Sequence, residues 1–112
     1  MTTRTVARLW IAQRVSAAVL ALCVVVHLAT IIYAVRGGLT AAAILSRTHG
    51  NLAWATFYSV FVLAAAIHAA IGLRTVAAEW LSWRGMAADA AVTVIALALA
   101  GLGLRAVAAL VL

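Results

Sequence analysis

The chain has 112 residues, of which 69% are hydrophobic and 9% are charged, and its formal net charge is +6. Soluble domains carry roughly 25% charged residues, so this composition excludes an ordinary soluble domain and favours a membrane protein. All eight basic residues are arginine, and in a membrane protein arginine near helix ends marks topology and lipid head-group contact, so the charge indicates no nucleic-acid partner.

Three long apolar segments follow one another along the chain. Residues 15–35 contain 21 uncharged positions, residues 52–73 contain 22, and residues 90–104 add 15. A hydrocarbon core of about 30 Å needs roughly 20 helical residues. The sequence therefore predicts an all-α membrane protein with one domain over residues 1–112. We expect three transmembrane helices at about 12–36, 52–74 and 87–108. The first is too long for the h-region of a secretory signal, which has about 7–15 residues.

The segment between the first two spans predicts a short helix on the outer surface. The glycine pair at residues 37–38 can end the first span. Thr40 can cap the surface helix, Gly50 can end it, and Asn51 is an N-cap candidate for the second span. We expect the second long helix to continue beyond the membrane towards Gly85, which is the next strong stop signal.

The arginines predict the orientation of the chain in its membrane. With three spans, the N-terminus and the loop after the second span lie on one side and the C-terminus lies on the other. Five arginines against three place the N-terminus in the cytoplasm and the C-terminus outside. The five are Arg4, Arg8, Arg14, Arg74 and Arg84, and the three are Arg36, Arg47 and Arg105.

A polar stripe runs along the first span. At 100° per residue, an arc of roughly 100° holds Gln13, Ser16, Cys23, His27 and Thr30. Polar side chains are costly to expose to lipid, so we expect this face to point into a helix bundle or at a cofactor.

The second span carries His68 between two small residues, Ala64 and Gly72, one turn away on either side. Two interpretations fit this pattern equally well. The small residues can leave space for a flat macrocycle bound through the imidazole, or they can serve helix packing around a hydrogen-bonded histidine. His49 lies in the surface segment, and we assign it no site.

The two span histidines differ in depth. Counted from Arg14 and Arg74, and taking 1.5 Å per residue, His27 and His68 differ by roughly 10 Å. That spacing is unsuited to one shared haem iron. It suits two haems at different depths, if a second subunit supplies each opposite ligand.

The chain resembles the cytochrome b membrane-anchor subunits of succinate dehydrogenase and fumarate reductase over its first two spans. That family carries HRxSG at the start of the first span and HxxxGxRH at the end of the second. Here the first motif reads Gln-Arg-Val-Ser-Ala at residues 13–17, and the second keeps His68, Gly72 and Arg74 with Thr75 in place of the last histidine.

The resemblance implies a role for each matching residue. His68 matches the axial ligand of haem b near the cytoplasmic side, and His27 resembles the first-span ligand of two-haem members. Both would then be axial ligands of haem iron. Arg14 and Ser16 match the quinone-site motif, where Arg14 can also contact a haem propionate. Arg74 is placed to neutralise propionates.

The resemblance also implies cofactors and partners. It implies haem b, one or two per pair of chains, and a quinone as substrate. The expected partners are an iron–sulfur subunit, a flavoprotein subunit and a second anchor chain, identical or similar. The expected location is the bacterial inner membrane, where the chain contacts membrane lipids. Alone it should catalyse nothing, since it carries no flavin or iron–sulfur motif.

Two alternatives remain open. One is a haem-free anchor of a fumarate reductase-like complex that binds only quinone. The other is a small transporter or assembly protein, for which buried acidic residues are expected, and the spans contain none. The sequence leaves open the direction and identity of the dicarboxylate reaction, the quinone type, the number of haems, whether the anchors form a homodimer or a heterodimer, and the role of Arg105.

Overall fold

The computed structural model describes all 112 residues as four helices without strands. They are α1 (Thr3–Gly37), α2 (Ala41–Thr48), α3 (Leu52–Trp80) and α4 (Met86–Val111). Three of them, α1, α3 and α4, are long and apolar enough to cross a membrane. The predicted fold class, three transmembrane helices with a short helix between the first two, is confirmed. The chain is a multi-pass membrane protein, and each predicted span lies within one of its long helices.

The central helix is α3, which packs against α1 on one side and α4 on the other, while α1 and α4 barely touch. Only 10 of the 112 residues are buried, so most apolar side chains face outward, towards lipid or another chain. The outward face of α1 is therefore a broad unpartnered apolar surface.

The predicted helix ends of the outer segment are confirmed. Gly38 follows α1 with φ at 119°, a left-handed conformation that suits glycine. The hydroxyl of Thr40 accepts a hydrogen bond from the Ala43 N–H at 3.1 Å, and the side chain of Asn51 accepts one from the Trp54 N–H at 3.3 Å. These side chains satisfy N–H groups that the first turns of α2 and α3 leave without helical partners.

The end of α3 differs from the prediction. The helix does extend beyond residue 74, but it stops at Trp80 rather than at Gly85. Ser82 takes a positive φ of 51°, and the Trp83 N–H donates to the Ala77 carbonyl at 2.9 Å. A serine performs the turn that glycine usually performs, and Gly85 instead precedes the first residue of α4.

The surface helix α2 is tied to the C-terminal end of α4. The buried Thr48 hydroxyl donates to the Leu110 carbonyl at 2.9 Å, and the Gly50 N–H donates to the Val111 carbonyl at 2.7 Å. These bonds satisfy carbonyls that the last turn of α4 leaves free. They fix α2 at the end of the bundle where α1 ends and α3 begins.

Candidate functional site

His68 meets α1 at Ser16. The Ser16 side chain is only 5% exposed, and its hydroxyl donates to the Gln13 carbonyl at 3.0 Å. The same oxygen lies 3.3 Å from Nδ1 of His68. A serine hydroxyl has a single hydrogen to donate. With that hydrogen on the Gln13 carbonyl, the Ser16 oxygen is free to accept from an Nδ1–H of His68.

This contact is compatible with a haem-ligating form of the imidazole. With a proton on Nδ1, the neutral ring of His68 keeps its free lone pair on Nε2. A metal-bound histidine usually has this arrangement, with the second ring nitrogen donating to a neighbouring oxygen that fixes ring orientation. The donor chemistry of His68 therefore fits an axial ligand of haem iron.

Of the small residues beside His68, Ala64 is buried, at 8% exposure. A Cβ added at Gly72 would lie 3.6 Å from Nε2 of Gln13, an ordinary van der Waals distance. The packing of α1 against α3 therefore does not itself require a glycine at this position.

His27 lies at the other end of the same interface, among aromatic rings of α3. Its Nδ1 is 3.4 Å from the Tyr58 hydroxyl, and its ring meets Tyr58 and Phe61 edge to face at centroid distances of 5.9 and 5.6 Å. The ring lines a mainly hydrophobic cavity of about 610 Å³, the outer cavity, which also includes Arg47 and Trp54. The outer cavity offers His27 an apolar space with one cation at its edge.

The two histidines lie at different levels of the α1–α3 interface. Ser16 marks the level of His68 on α1, and Tyr58 and Phe61 mark the level of His27 on α3. Seven to eleven helical residues separate the two levels, or roughly 10–16 Å along the bundle. No group of three or more histidine, cysteine, aspartate or glutamate side chains comes together to hold a metal ion.

The structure separates Arg14 from Ser16. The exposed Arg14 guanidinium lies 5.2 Å from the centre of the Trp10 ring, whereas Ser16 is turned into the α1–α3 interface. Arg74 is also engaged, because its Nε and Nη2 donate to the two carboxylate oxygens of Asp89 of α4 at 2.7 and 3.4 Å. These three predicted site residues therefore occupy three different environments.

A second cavity, the inner cavity, opens near the N-terminal part of α1 and the α3–α4 loop. Its volume is about 640 Å³, and its lining includes Gln13, Arg74, Trp10 and Trp83. The Gln13 Oε1 atom is buried and has no hydrogen-bond partner. Sequence reasoning placed Gln13 on the polar stripe but gave it no role, although a glutamine amide on a buried face is itself a signal of a polar contact.

Comparison with known proteins gives one match. The family model described as succinate dehydrogenase/fumarate reductase transmembrane subunit matches residues 2–109, nearly the whole chain. No curated protein and no solved structure matches the chain significantly.

Proposed function

The chain belongs to the succinate dehydrogenase/fumarate reductase transmembrane subunit family, and we propose that it is the haem b-binding membrane anchor of a succinate:quinone oxidoreductase. In this proposal it passes electrons from an iron–sulfur subunit, itself served by a flavoprotein subunit, to a quinone. Family membership favours such an anchor over the transporter or assembly-protein alternative. We further propose that it lies in a bacterial inner membrane with its N-terminus in the cytoplasm.

The observation that carries the proposal is the hydrogen-bond chain from His68 through Ser16 to the Gln13 carbonyl. It holds the proton of His68 on Nδ1 and leaves Nε2 available as an iron ligand. Ser16 then acts as the residue that orients the ligand, rather than as a direct quinone contact.

His27 is the proposed ligand of a second haem at the outer end. Its ring lines the outer cavity, where the apolar lining suits a macrocycle and the Arg47 guanidinium offers a positive charge for a propionate. The haem groups, when bound, would supply one-electron transfer across the membrane. Arg14 and Arg74 are proposed to balance propionate charge at the inner end, where Arg74 also pairs with Asp89 and Arg14 lies over the Trp10 ring.

A second anchor chain completes each site in this proposal. His27 and His68 would each hold a haem through one ring nitrogen, and the roughly 10–16 Å between their levels prevents the two from sharing one iron. A low-spin haem with two imidazole ligands therefore needs a histidine from another chain. The unpartnered apolar surface of α1 is the proposed place for an identical or similar subunit.

The test is a reduced-minus-oxidised absorption spectrum with a haem assay, made on the detergent-purified complex. We expect two low-spin b-type haems per pair of chains in the wild type. His68→Ala and His27→Ala should each remove one of them. His49→Ala is the matched control, because His49 is exposed in the surface segment and should leave both haems in place.

A specific observation favours the haem-free quinone anchor as the second candidate. Both imidazoles have hydrogen-bond partners within the chain, so each already has a structural role. An assembled wild-type complex that reduces quinone but contains no haem would overturn the haem proposal and support this alternative.

A further inference from the structure

We propose that Arg105 of α4 binds the phosphate of an anionic phospholipid at the outer end of the bundle. The inference does not depend on haem or quinone. It gives a role to an arginine that neither the fold nor the proposed function uses.

Arg105 lies on the face of α4 that points away from the bundle. Two residues before it, Gly103 lies against Val62 of α3, and two residues after it, Val107 is buried. Two residues correspond to about 200° of rotation on a helix, so Arg105 lies on the opposite face from both. Arg105 is exposed, and this face is therefore open to lipid or to another molecule.

Arg105 lies inside a transmembrane helix rather than at its end. The helix α4 is long and apolar enough to cross a membrane, and it continues for six residues beyond Arg105 to Val111, or about 9 Å. The other two outer arginines, Arg36 and Arg47, lie in the last turns of their helices. A charged side chain within a span is costly, and a long one reduces this cost by extending towards the interface. Arg105 therefore needs an anion at the edge of the hydrocarbon core.

The chain has no acidic side chain that can pair with Arg105. Its only two acidic residues are Glu79 and Asp89, and both line the inner cavity at the other end of the bundle. The single ion pair of the chain joins Asp89 to Arg74. A second copy has the same distribution of charge, and a two-fold pairing through this face would bring two Arg105 side chains together. A second copy is therefore an unsuitable partner for this face.

A phospholipid phosphate meets these requirements. It lies at the boundary between the hydrocarbon core and water, and a planar guanidinium binds a phosphate through two parallel N–H donors. One helical turn to either side on the same face stand Gly101 and Ala109, both exposed, so no large side chain covers Arg105 there. Because Arg36 and Arg47 add positive charge to this end, a head group with a net negative charge is favoured over a zwitterionic one.

The haem proposed for the outer cavity is not placed to supply this anion within the same chain. The only residue of α4 in the lining of that cavity is Leu110. Leu110 lies five residues after Arg105, or about 140° around the helix. A propionate can reach Arg105 only from a haem held by another chain.

The experiment measures lipid binding to the delipidated, detergent-purified complex by native mass spectrometry. The probes are phosphatidylglycerol and phosphatidylcholine with identical acyl chains. We expect the wild type to prefer phosphatidylglycerol, and Arg105→Gln to weaken that binding by about tenfold, which corresponds to the loss of roughly one hydrogen bond to a charged group. Binding of phosphatidylcholine should change little.

Two further variants support the measurement. Arg105→Lys keeps the charge without the two-donor geometry, so its affinity for phosphatidylglycerol should lie between those of the wild type and Arg105→Gln. Arg4→Gln is the matched control, because it removes the same charge from an exposed arginine ten residues before Arg14, beyond the inner end of the span. It should leave the affinity unchanged.

Equal affinity of the wild type and Arg105→Gln for phosphatidylglycerol would overturn the inference, and so would equal weakening of both lipids. With lipid affinity unchanged, a shifted haem midpoint potential in Arg105→Gln would identify a propionate as the partner instead. Loss of a subunit from the variant, again with lipid affinity unchanged, would identify a carboxylate of another chain. The haem count of the wild-type complex, which tests the proposed function, is independent of all these results.

Discussion

The position of Ser16 decides what His68 can do. A histidine on a transmembrane helix is neutral or charged, and its proton lies on either nitrogen, according to the groups around it. Here the serine hydroxyl also contacts the Gln13 carbonyl, and when it donates to that carbonyl it can accept from the ring. This arrangement suits the tautomer with its proton on Nδ1 and its free lone pair on Nε2.

Removing that hydroxyl should weaken haem binding at the inner site. In Ser16→Ala the Nδ1–H of His68 loses its acceptor, so the ring can rotate and adopt the other tautomer. Loss of such an orienting partner typically lowers metal affinity by about 10–100-fold. We expect the affinity of the inner site for haem, measured by haem loss on dilution, to fall by about 10–100-fold. The absorption band of that haem should also shift.

Ser46→Ala provides the control for this measurement. It makes the same change at an exposed serine of α2, whose hydroxyl bonds only the Ala43 carbonyl. Haem retention should stay at the wild-type value. If Ser16→Ala retains its haem with an unaltered spectrum, the serine does not orient the ligand.

The sequence predicted the polar stripe of α1, because helical periodicity alone places its members on one face. It failed to separate the roles of the motif residues. Arg14 and Ser16 are two positions apart, which on a helix means roughly 200° of rotation, so they cannot share one small site within this chain. The approach of the Gln13 side chain to Gly72 required the register of α1 against α3, which one sequence does not contain.

At the scale of elements, the contact between α3 and α4 depends on one glycine. A Cβ added at Gly103 would lie 2.5 Å from Cγ1 and 2.9 Å from Cγ2 of Val62. Small residues let transmembrane helices approach closely, and this approach leaves no space for a methyl group. Gly101, two residues earlier, has nothing within 4 Å of the same added atom.

This pair of glycines gives a matched stability prediction. Gly103→Ala should lower the free energy of unfolding by about 1–3 kcal/mol, as overpacking of a tight contact does. Gly101→Ala should leave it unchanged or raise it by up to about 1 kcal/mol, because the added methyl meets nothing and alanine favours a helix over glycine. Thermal unfolding of the detergent-solubilised protein, followed by circular dichroism, measures both.

The double variant Gly103→Ala/Val62→Ala identifies the cause. Removing the Val62 methyl groups creates the missing space. The double variant should therefore lose much less free energy of unfolding than the sum of the losses in the two single variants. If Gly101→Ala and Gly103→Ala lowered the free energy of unfolding equally, close packing at Gly103 would be contradicted.

Helix ends were predictable where the cap is a side chain in its usual role. Thr40 and Asn51 precede apolar runs, and both cap as expected. The end of α3 was predicted wrongly because the prediction relied on the next glycine as the stop signal. Ser82 instead takes a left-handed conformation that serine rarely adopts.

At the scale of the whole molecule, α1 is longer than a bilayer requires. Its 35 residues span about 50 Å, against a hydrocarbon core of about 30 Å. The excess lies at its N-terminal end, where Arg4 and Arg8 are exposed. The inner cavity opens at the same end, so the arginine count and the cavity together predict that this end faces the cytoplasm and the soluble subunits.

Two serines test this orientation. Ser46 on α2 and Ser82 in the α3–α4 loop are both exposed and lie at opposite ends of the bundle. In intact cells, a membrane-impermeant maleimide should label Ser46→Cys, and it should label Ser82→Cys only after the membrane is opened. The native Cys23 is buried within the first span, so it should contribute no signal to either measurement.

The result matters for the proposed electron path. The soluble subunits can deliver electrons only from the side on which they dock, and the inner cavity and His68 both belong to the Ser82 end. Labelling of Ser82→Cys in intact cells would place that end outside. The outer cavity and His27 would then be the nearer pair to the soluble subunits, and the proposed order of the two sites would be reversed.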